Sequence, residues 1–226
     1  MKKMKFLRLP LCIACFFILL YGRWNVKNIS GESNPDIAAA MNQAIHVEYA
    51  ENSTGFYDPE APTLSALEQE TEIIIKATVL KNRIMSARST KTELCIREIL
   101  SQTNTNLSVG DKIYLIEPVT FLRGEVYVTN GYQMAHTGEE YIFLLKHLEC
   151  VEGYQYTKEQ EIIYMPISVY YSKYATSYTE VIETLGSDKV LYDEIQNYAI
   201  LTNSDYILAA YKSLINQINE TYRNFD

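Results

Sequence analysis

The residues best suited to catalysis in this chain are its three histidines, His46, His136 and His147. A histidine side chain exchanges protons near neutral pH and binds metal ions. None of the three belongs to an HExxH pattern, lies near a cysteine pair or stands among carboxylates at metal-ligand spacing. The sequence also lacks phosphate-binding glycine loops, GxSxG and EF-hand patterns. We therefore expect surface or turn histidines, and we predict no catalytic residue, no cofactor and no metal site.

One short segment keeps an alternative open. His136 and Thr137 come just before Glu139 and Glu140, at the predicted start of a strand. Such a cluster suits a bound cation or an acid–base pair, although a solvated turn explains it as well. The alternative to a non-enzymatic protein is therefore a hydrolase or metal-dependent enzyme of the cell envelope, with its site near the turn from His136 to Glu140.

Cys95 and Cys150 are the two cysteines outside the N-terminal apolar run. Together they allow at most one disulfide, which an oxidising compartment would preserve. Strand alternation puts Cys95 on an outer face with Glu93 and Arg97, so a bridge requires Cys150 to lie beside that face. The sequence leaves the paired and the free state open.

The apolar run over residues 9–21 follows four basic residues near the N-terminus. Among its 13 residues are Leu9, Phe16, Phe17, Leu20 and Tyr21. A basic flank before a short apolar stretch is typical of an export signal, and a spanning helix needs about 20 residues. Three interpretations stay open: a short uncleaved anchor, a cleaved signal peptide, and a lipoprotein signal ending at Ala14-Cys15.

All three interpretations place the rest of the chain outside the membrane. Basic residues before an apolar segment mark the side that stays in the cytoplasm. We therefore expect a protein of the cell membrane whose bulk is extracytoplasmic, or a secreted protein if the signal is removed. The expected partners are the membrane, through the N-terminal segment, and a cell-envelope protein.

Composition excludes two further classes. The chain has 226 residues, of which 47% are hydrophobic, and a net charge of −8. That apolar content is ordinary for a globular fold and argues against disorder. The acidic balance argues against a nucleic-acid partner, because nucleic-acid surfaces need clustered lysine and arginine.

The pattern along the chain predicts a mainly β fold with some α. We divide it into an N-terminal signal or anchor segment (1–27) and a lead-in linker (28–62) with a short helix over 36–47. A small barrel or sandwich (63–150) and a C-terminal β/α extension that packs on it (151–226) follow. A helical turn is expected at 63–68, with Ser65 and Glu68 at capping-box spacing. Barrel strands are predicted at 72–80, 90–100, 112–117, 125–129 and 139–146.

The connections are predicted from turn chemistry. Residues 83–89 form a polar connection, and Asn130-Gly131 favours a hairpin. In the C-terminal extension, residues 162–171 and 190–192 are expected as strands. From Ser204, apolar residues recur at three- and four-residue steps, which predicts an amphipathic helix with Asn203 or Ser204 as its N-cap.

The order of these pieces resembles a known group. Ser65-Ala66-Leu67-Glu68, the strand 72–79, Leu107-Ser108-Val109-Gly110-Asp111-Lys112-Ile113 and the strand 138–145 follow one another as they do in a group of bacterial exported proteins. Their barrel is similar to the OB-type barrel of the tissue-inhibitor-of-metalloprotease and netrin-like modules. The resemblance covers about residues 65–149 and implies a small OB-like β-barrel and an exported location, with a binding role by analogy. Together with the lack of a catalytic pattern, it predicts an exported, non-enzymatic binding or interaction protein. Inhibition is not implied, because the N-terminal cysteine that those inhibitors present to zinc has no counterpart here.

Overall fold

The computed structural model describes residues 44–48, 56–59, 62–85, 89–103, 105–122, 125–148, 153–176, 182 and 191–223. The chain divides into two units, Met1–Asn34 and Pro35–Asp226. The first unit lies outside the described residues, and with it the apolar run with Leu9, Phe16, Phe17, Leu20 and Tyr21. In the part of the chain that is described, no helix has both the length and the apolar character needed to cross a membrane.

The described residues form nine strands, three α-helices and a C-terminal π-helical turn. The strands are β1 (Ala44–Glu48), β2 (Ile73–Met85), β3 (Ser89–Gln102), β4 (Lys112–Glu117), β5 (Val119–Leu122), β6 (Glu125–Thr129), β7 (Glu140–His147), β8 (Ile163–Pro166) and β9 (Lys173–Ala175). The helices are α1 (Leu64–Gln69), α2 (Tyr192–Ile195) and α3 (Asp205–Ile218), and the π-helical turn is Asn219–Arg223. The fold is mainly β with few helices, as predicted.

Five strands close into a small OB-like barrel. The order around the ring is β2-β3-β4-β8-β7, and β7 pairs again with β2. All pairs are antiparallel except β4 with β8, which are parallel and meet at Tyr114↔Ile163 and Leu115↔Tyr164. The other edge of β7 pairs with β8 and then with β9. Full closure satisfies the strand edges that an open sheet would expose.

Alternating apolar residues fill the barrel. On β3, Leu94 and Ile96 are fully buried while Cys95 between them is partly exposed, which is the predicted alternation. Three register shifts between β2 and β3 bend β2, and such bulges are how a sheet coils into a barrel. β7 is buried on both faces from Tyr141 to Leu145, which confirms it as a central strand.

The outer surface of β2 and β7 is covered by the chain's own helices. Ile74 and Ile142 lie there in one hydrophobic cluster with Leu67 of α1 and with Tyr211 and Leu214 of α3. Helix α3 begins after the predicted N-cap, since Ser204 Oγ accepts a hydrogen bond from the Ile207 N–H. Helix α1 is also confirmed, although its N-cap is Thr63 and not Ser65.

A second, three-stranded sheet has the order β1-β6-β5. The prediction of 125–129 as a barrel strand was therefore wrong, because β6 lies in this sheet and β8 completes the barrel. Strand β1 of the sheet corrects the helix expected over 36–47, because Ala44–Glu48 is extended and pairs in parallel with β6; the earlier part of that segment lies outside the described residues. Ile45 packs against the cluster that contains Val126 and Val128. The backbone of β1 therefore forms hydrogen bonds with an otherwise exposed edge of β6 instead of the helical bonds that were expected. The sequence reading also missed β5.

Two predicted strands in the C-terminal extension were wrong in extent or type. The strand expected at 162–171 ends at Pro166, because Ser168 takes part in a local network: its Oγ donates to Asp58 and accepts from the Tyr170 N–H. Such side-chain bonds compete with strand pairing. Residues 190–192 were predicted as a strand, but Tyr192 begins helix α2, where Glu194 accepts from the Leu191 N–H.

The two connections also differ from their predictions. β2 and β3 extend through most of the expected polar connection, to Met85 and from Ser89. Asn130 and Gly131 do form a turn with positive φ angles of 49° and 80°, as this dipeptide favours. No hairpin follows, because Tyr132 pairs with Ile200 instead of with β6.

Candidate functional site

The turn from His136 to Glu140 is tied to the barrel by backbone hydrogen bonds. Gly138 N–H donates to Val79 O (2.8 Å), and Val79 N–H donates to Glu139 O (2.9 Å). His136 is partly buried, and its Nε2 lies 2.6 Å from Gln196 O. Because a carbonyl only accepts, Nε2 carries the proton. The imidazole therefore connects the turn to the segment after α2.

Glu140 contacts different elements. Its Oε1 accepts from Thr176 Oγ1 (3.0 Å) and lies 3.9 Å from Lys76 Nζ. The Thr176 N–H also donates to the Glu140 carbonyl. These contacts fasten β7 to the segment after β9, which is a structural use of the carboxylate.

A buried carboxylate lies near this turn, at one end of the barrel. Glu117, the last residue of β4, is fully buried. Its carboxylate accepts hydrogen bonds from Thr92 Oγ1, Tyr132 Oη (2.9 Å) and Ala135 N–H (2.8 Å). Asn82 extends this Glu117 network, because its Nδ2 donates to Thr92 Oγ1 and to Ala135 O. The network fastens the segment after β6 to the β2–β3 hairpin.

The electrostatics of the network follow from burial. Burial raises the pKa of the Glu117 carboxyl, and the bonds from Thr92 and Ala135 together with the charge of Lys173 partly oppose that rise. Lys173 is itself buried, with its Nζ 4.7 Å from the centre of the Tyr141 ring. Burial, followed by the charge of Lys173, lowers the pKa of His136. A buried carboxylate and a buried lysine thus share this end of the barrel.

His147, at the end of β7, has a denser set of contacts than a surface histidine. Its Nδ1 lies 2.5 Å from Glu72 Oε2, and its Nε2 lies 2.8 Å from Glu161 O. The centre of the imidazole lies 4.2 Å from the centre of the Tyr164 ring and 5.8 Å from that of the Tyr156 ring, with the ring planes tilted by 38° and 31°. His46 lies in β1 opposite Tyr127. Among the described residues, no group of three or more metal-ligating side chains occurs.

The outer surface of β3, β4 and β8 differs from the covered side. Its outward residues, which we call the β3–β4 face, are Lys91, Glu93, Cys95, Arg97, Lys112, Tyr114, Ile116 and Ile163. Tyr114, Ile116 and Ile163 are half-buried, and the hydrophobic clusters of the described residues do not include them. OB barrels commonly bind ligands on the equivalent strands.

Charged side chains surround the apolar residues of this face. Lys91 Nζ lies 3.9 Å from the centre of the Tyr114 ring, a cation–π geometry. Lys112 Nζ lies 2.9 Å from Glu93 Oε1, and Arg97 Nε donates to Thr78 Oγ1 (2.8 Å). An apolar centre within a polar rim is typical of a protein–protein interface.

Comparisons with known proteins assign the chain to no family. No protein-family model matches the chain, and no curated protein matches it.

The sequence patterns placed Cys95 on the correct face of its strand, but they did not identify Glu117 as a buried polar residue. Cys95 lies on the outer face with Glu93 and Arg97, as predicted, and its Sγ lies 3.9 Å from Gly110 O. Cys150 lies outside the described residues, so the paired and the free state both stay open. For Glu117 the available signal was alternation on β4, which places it inward with Ile113 and Leu115.

Proposed function

We propose that this protein is an extracytoplasmic, non-enzymatic binding module that recognises a cell-envelope protein through the β3–β4 face. The observation that carries the proposal is the division of the barrel surface. The β2–β7 side is buried under α1 and α3, whereas Tyr114 and Ile116 remain half-buried beside Lys91 on the other side. Tyrosine and arginine at the centre and edge of such a patch are enriched in interfaces.

The location belongs to the same proposal. The basic and apolar N-terminal segment supports export, with the segment either retained as an anchor or removed. The resemblance to bacterial exported proteins with an OB-type barrel supports the same setting. A reporter fused after Asp226 should be active outside the cytoplasm, and activity confined to the cytosol would contradict this setting.

The binding face is tested by site-specific photo-crosslinking of the full chain in its native cells. A photo-reactive residue in place of Tyr114 or Ile116 should give a discrete protein adduct. The matched control carries the same residue in place of Tyr206, an exposed tyrosine of α3, which is the helix that covers the β2–β7 side of the barrel. K91E should abolish the Ile116 adduct, because it reverses the charge beside Tyr114. Equal adducts at Tyr206 and Tyr114 would rule out a face-specific partner.

The enzymatic alternative has a separate test. If the purified full chain turned over an envelope substrate, and single changes at His136 or Glu140 abolished turnover, the non-enzymatic proposal would be wrong. H147Q serves as the matched histidine control, since His147 lies at the other end of β7.

A further inference from the structure

The β3–β4 face has the opposite charge to the chain as a whole. It has three basic residues, Lys91, Arg97 and Lys112, and one acidic residue, Glu93, in a chain whose net charge is −8. Lys81 of β2 lies opposite Glu93 in the β2–β3 register and adds a fourth positive charge at the edge of the face. A surface patch of one sign attracts partners of the other sign.

The other carboxylates of β3 and β4 and of the turn between them do not cancel this charge. Glu117 is buried at the end of β4, and Glu98 lies opposite Lys76 in the β2–β3 register, toward β2. Asp111, in the turn before β4, accepts a hydrogen bond from Ser108 N–H through its Oδ2 (2.8 Å). The centre of the face therefore keeps its excess of positive charge.

Two of the basic side chains can bind a further carboxylate. Lys91 Nζ lies 3.9 Å from the centre of the Tyr114 ring, and the ion pairs of the described residues do not include Lys91. Lys112 Nζ lies 2.9 Å from Glu93 Oε1, but the side chain of Lys112 is 62% exposed. Because an exposed ion pair contributes little to stability, Lys112 can exchange Glu93 for a carboxylate of a partner.

The strand register fixes the spacing of these groups. Lys112, Tyr114 and Ile116 are alternate residues of β4, and Lys91 lies opposite Ile116 on β3. Since each residue of a strand adds about 3.3 Å, the two lysines lie about 13 Å apart along the strand direction, with Tyr114 between them. In an extended segment, two carboxylates four residues apart span the same distance, and the residue midway between them points to the same side.

We propose that the β3–β4 face binds an extended acidic segment of its partner, with two carboxylates four residues apart and an apolar residue midway between them. The carboxylates bind Lys91 and Lys112, and the apolar residue packs on Tyr114 and on Ile163, which is opposite Tyr114 on β8. Anionic lipid head groups would supply charge without a side chain for this apolar centre. The inference rests on the proposed function and adds the chemistry of the partner.

Crosslinking of the full chain in its native cells tests the charge, with the photo-reactive residue in place of Ile116. In K112Q the yield of the protein adduct should fall by about fivefold, because one carboxylate of the partner loses its ion pair. In E93Q the yield should rise, because a repelling charge is removed and Lys112 is released from its internal partner. K212Q, at an exposed position of α3, is the matched control and should leave the yield unchanged.

The outcomes separate this inference from the proposed function. The absence of a protein adduct at both Tyr114 and Ile116 would contradict the proposed function and, with it, this inference. A protein adduct whose yield is unchanged in K112Q, or falls in E93Q, would overturn the acidic segment alone, and E93Q decides if K112Q does not fold. Mass spectrometry should place the crosslink in a segment with a carboxylate on either side, and a basic or uncharged segment would overturn the inference.

Discussion

Glu117 occupies a position on β4 where its inward neighbours, Ile113 and Leu115, are apolar. An ion in such surroundings needs several partners, because burial without them costs several kcal/mol. Three donors and the charge of Lys173 meet the carboxylate here. These contacts offset part of the cost of burying the charge, and they also fix where the segment after β6 lies.

Removing the carboxylate should therefore be costly. E117A is expected to lower the free energy of unfolding by about 3–5 kcal/mol, because it leaves the buried Tyr132 Oη and Ala135 N–H without the acceptor that they have in the wild type and removes the charge near Lys173. Urea unfolding of the full chain at pH 7 measures this. The matched control is E93A on the outer face of β3, which should change stability by less than about 1 kcal/mol. Equal losses in the two variants would show that the Glu117 network does not stabilise the fold.

His136 should make stability depend on pH with a defined sign. Its pKa is lowered from 6.5 in the folded state, so the unfolded chain binds the extra proton first as pH falls. The stabilising contribution of the neutral His136 to the free energy of unfolding is complete above pH 6.5. It is lost as pH falls from 6.5 toward the lower pKa of the folded state. The stability advantage of the wild type over H136Q should shrink between pH 7 and 5, measured by urea unfolding at each pH.

The raised pKa values of Glu117 and Asp58 act in the opposite direction. Each carboxyl prefers its proton in the folded state, so these groups lower stability as pH rises above their ordinary values. Comparing the wild type with H136Q cancels them, since both proteins contain both carboxyls. An advantage that grows as pH falls would contradict a neutral, buried His136.

Alternation along single strands predicted which residues point inward, including Leu94 and Ile96, but it did not predict their partners. The carboxylate of Glu117 meets Tyr132 and Ala135 after β6 and the charge of Lys173 on β9. Those segments meet only after the barrel closes. The candidate site therefore depends on tertiary contacts that local patterns do not contain.

At the scale of elements, the turn at Asn130 and Gly131 decides where the chain goes after β6. The dipeptide predicted the turn correctly, since both φ angles are positive. It did not predict the partner, because Gly131 lies against the backbone of Leu201 and the Leu201 N–H donates to Gly131 O (2.8 Å). The turn delivers Tyr132 to Ile200 rather than back to β6.

Two glycine variants separate backbone strain from crowding. In G131A the new Cβ would lie 1.7 Å from Leu201 O, whereas in G110A it would have nothing within 4 Å. Both glycines have positive φ, so G110A should cost about 1–2 kcal/mol. G131A should cost at least about 1–3 kcal/mol more, because the overlap forces the backbone apart. Thermal unfolding measures both, and equal losses would mean that the two segments separate without penalty.

The weakest predictions were the elements of the C-terminal extension. Apolar residues at 162–171 read as one strand, yet the Ser168 network interrupts it. Residues 190–192 were too few to distinguish a strand from the start of a helix. In contrast, β4 and β6 were predicted at their observed bounds, since turn residues flank each of them.

At the scale of the whole molecule, the covered side of the barrel joins two regions that are distant in sequence. Helix α3 packs Tyr211, Leu214 and Ile218 against Ile74 and Ile142 of the barrel wall. Because the wall strands have apolar residues on both faces, the barrel needs this cover. We therefore expect the barrel and α3 to unfold together.

L214A tests that cooperation. Leu214 is fully buried, and its truncation should cost about 2–5 kcal/mol, with the same shift in the helical circular-dichroism signal and in tyrosine fluorescence. K212A, an exposed neighbour on α3, should stay within about 0.5 kcal/mol of the wild type. Two separate transitions in L214A would mean that α3 is an independent appendage.

The fold class was predictable because the strand signals are local and regularly spaced. The spacing of the strands left a barrel and a sandwich open, and the resemblance favoured the barrel, since no strand pattern shows which distant strand its edge will meet. The parallel pair of Tyr114 with Ile163 and Leu115 with Tyr164 completes the ring. That pair joins segments that β5, β6 and β7 separate along the chain.

This late partner of β4 has a consequence during synthesis. When β4 leaves the ribosome, the residues of β8 that complete the ring have not yet been made, and β4 must wait with one edge unpaired. A nascent chain in that state can be captured by another polypeptide or by a chaperone that binds extended segments. Slowing translation between β4 and β8 should therefore lower the yield of correctly folded protein.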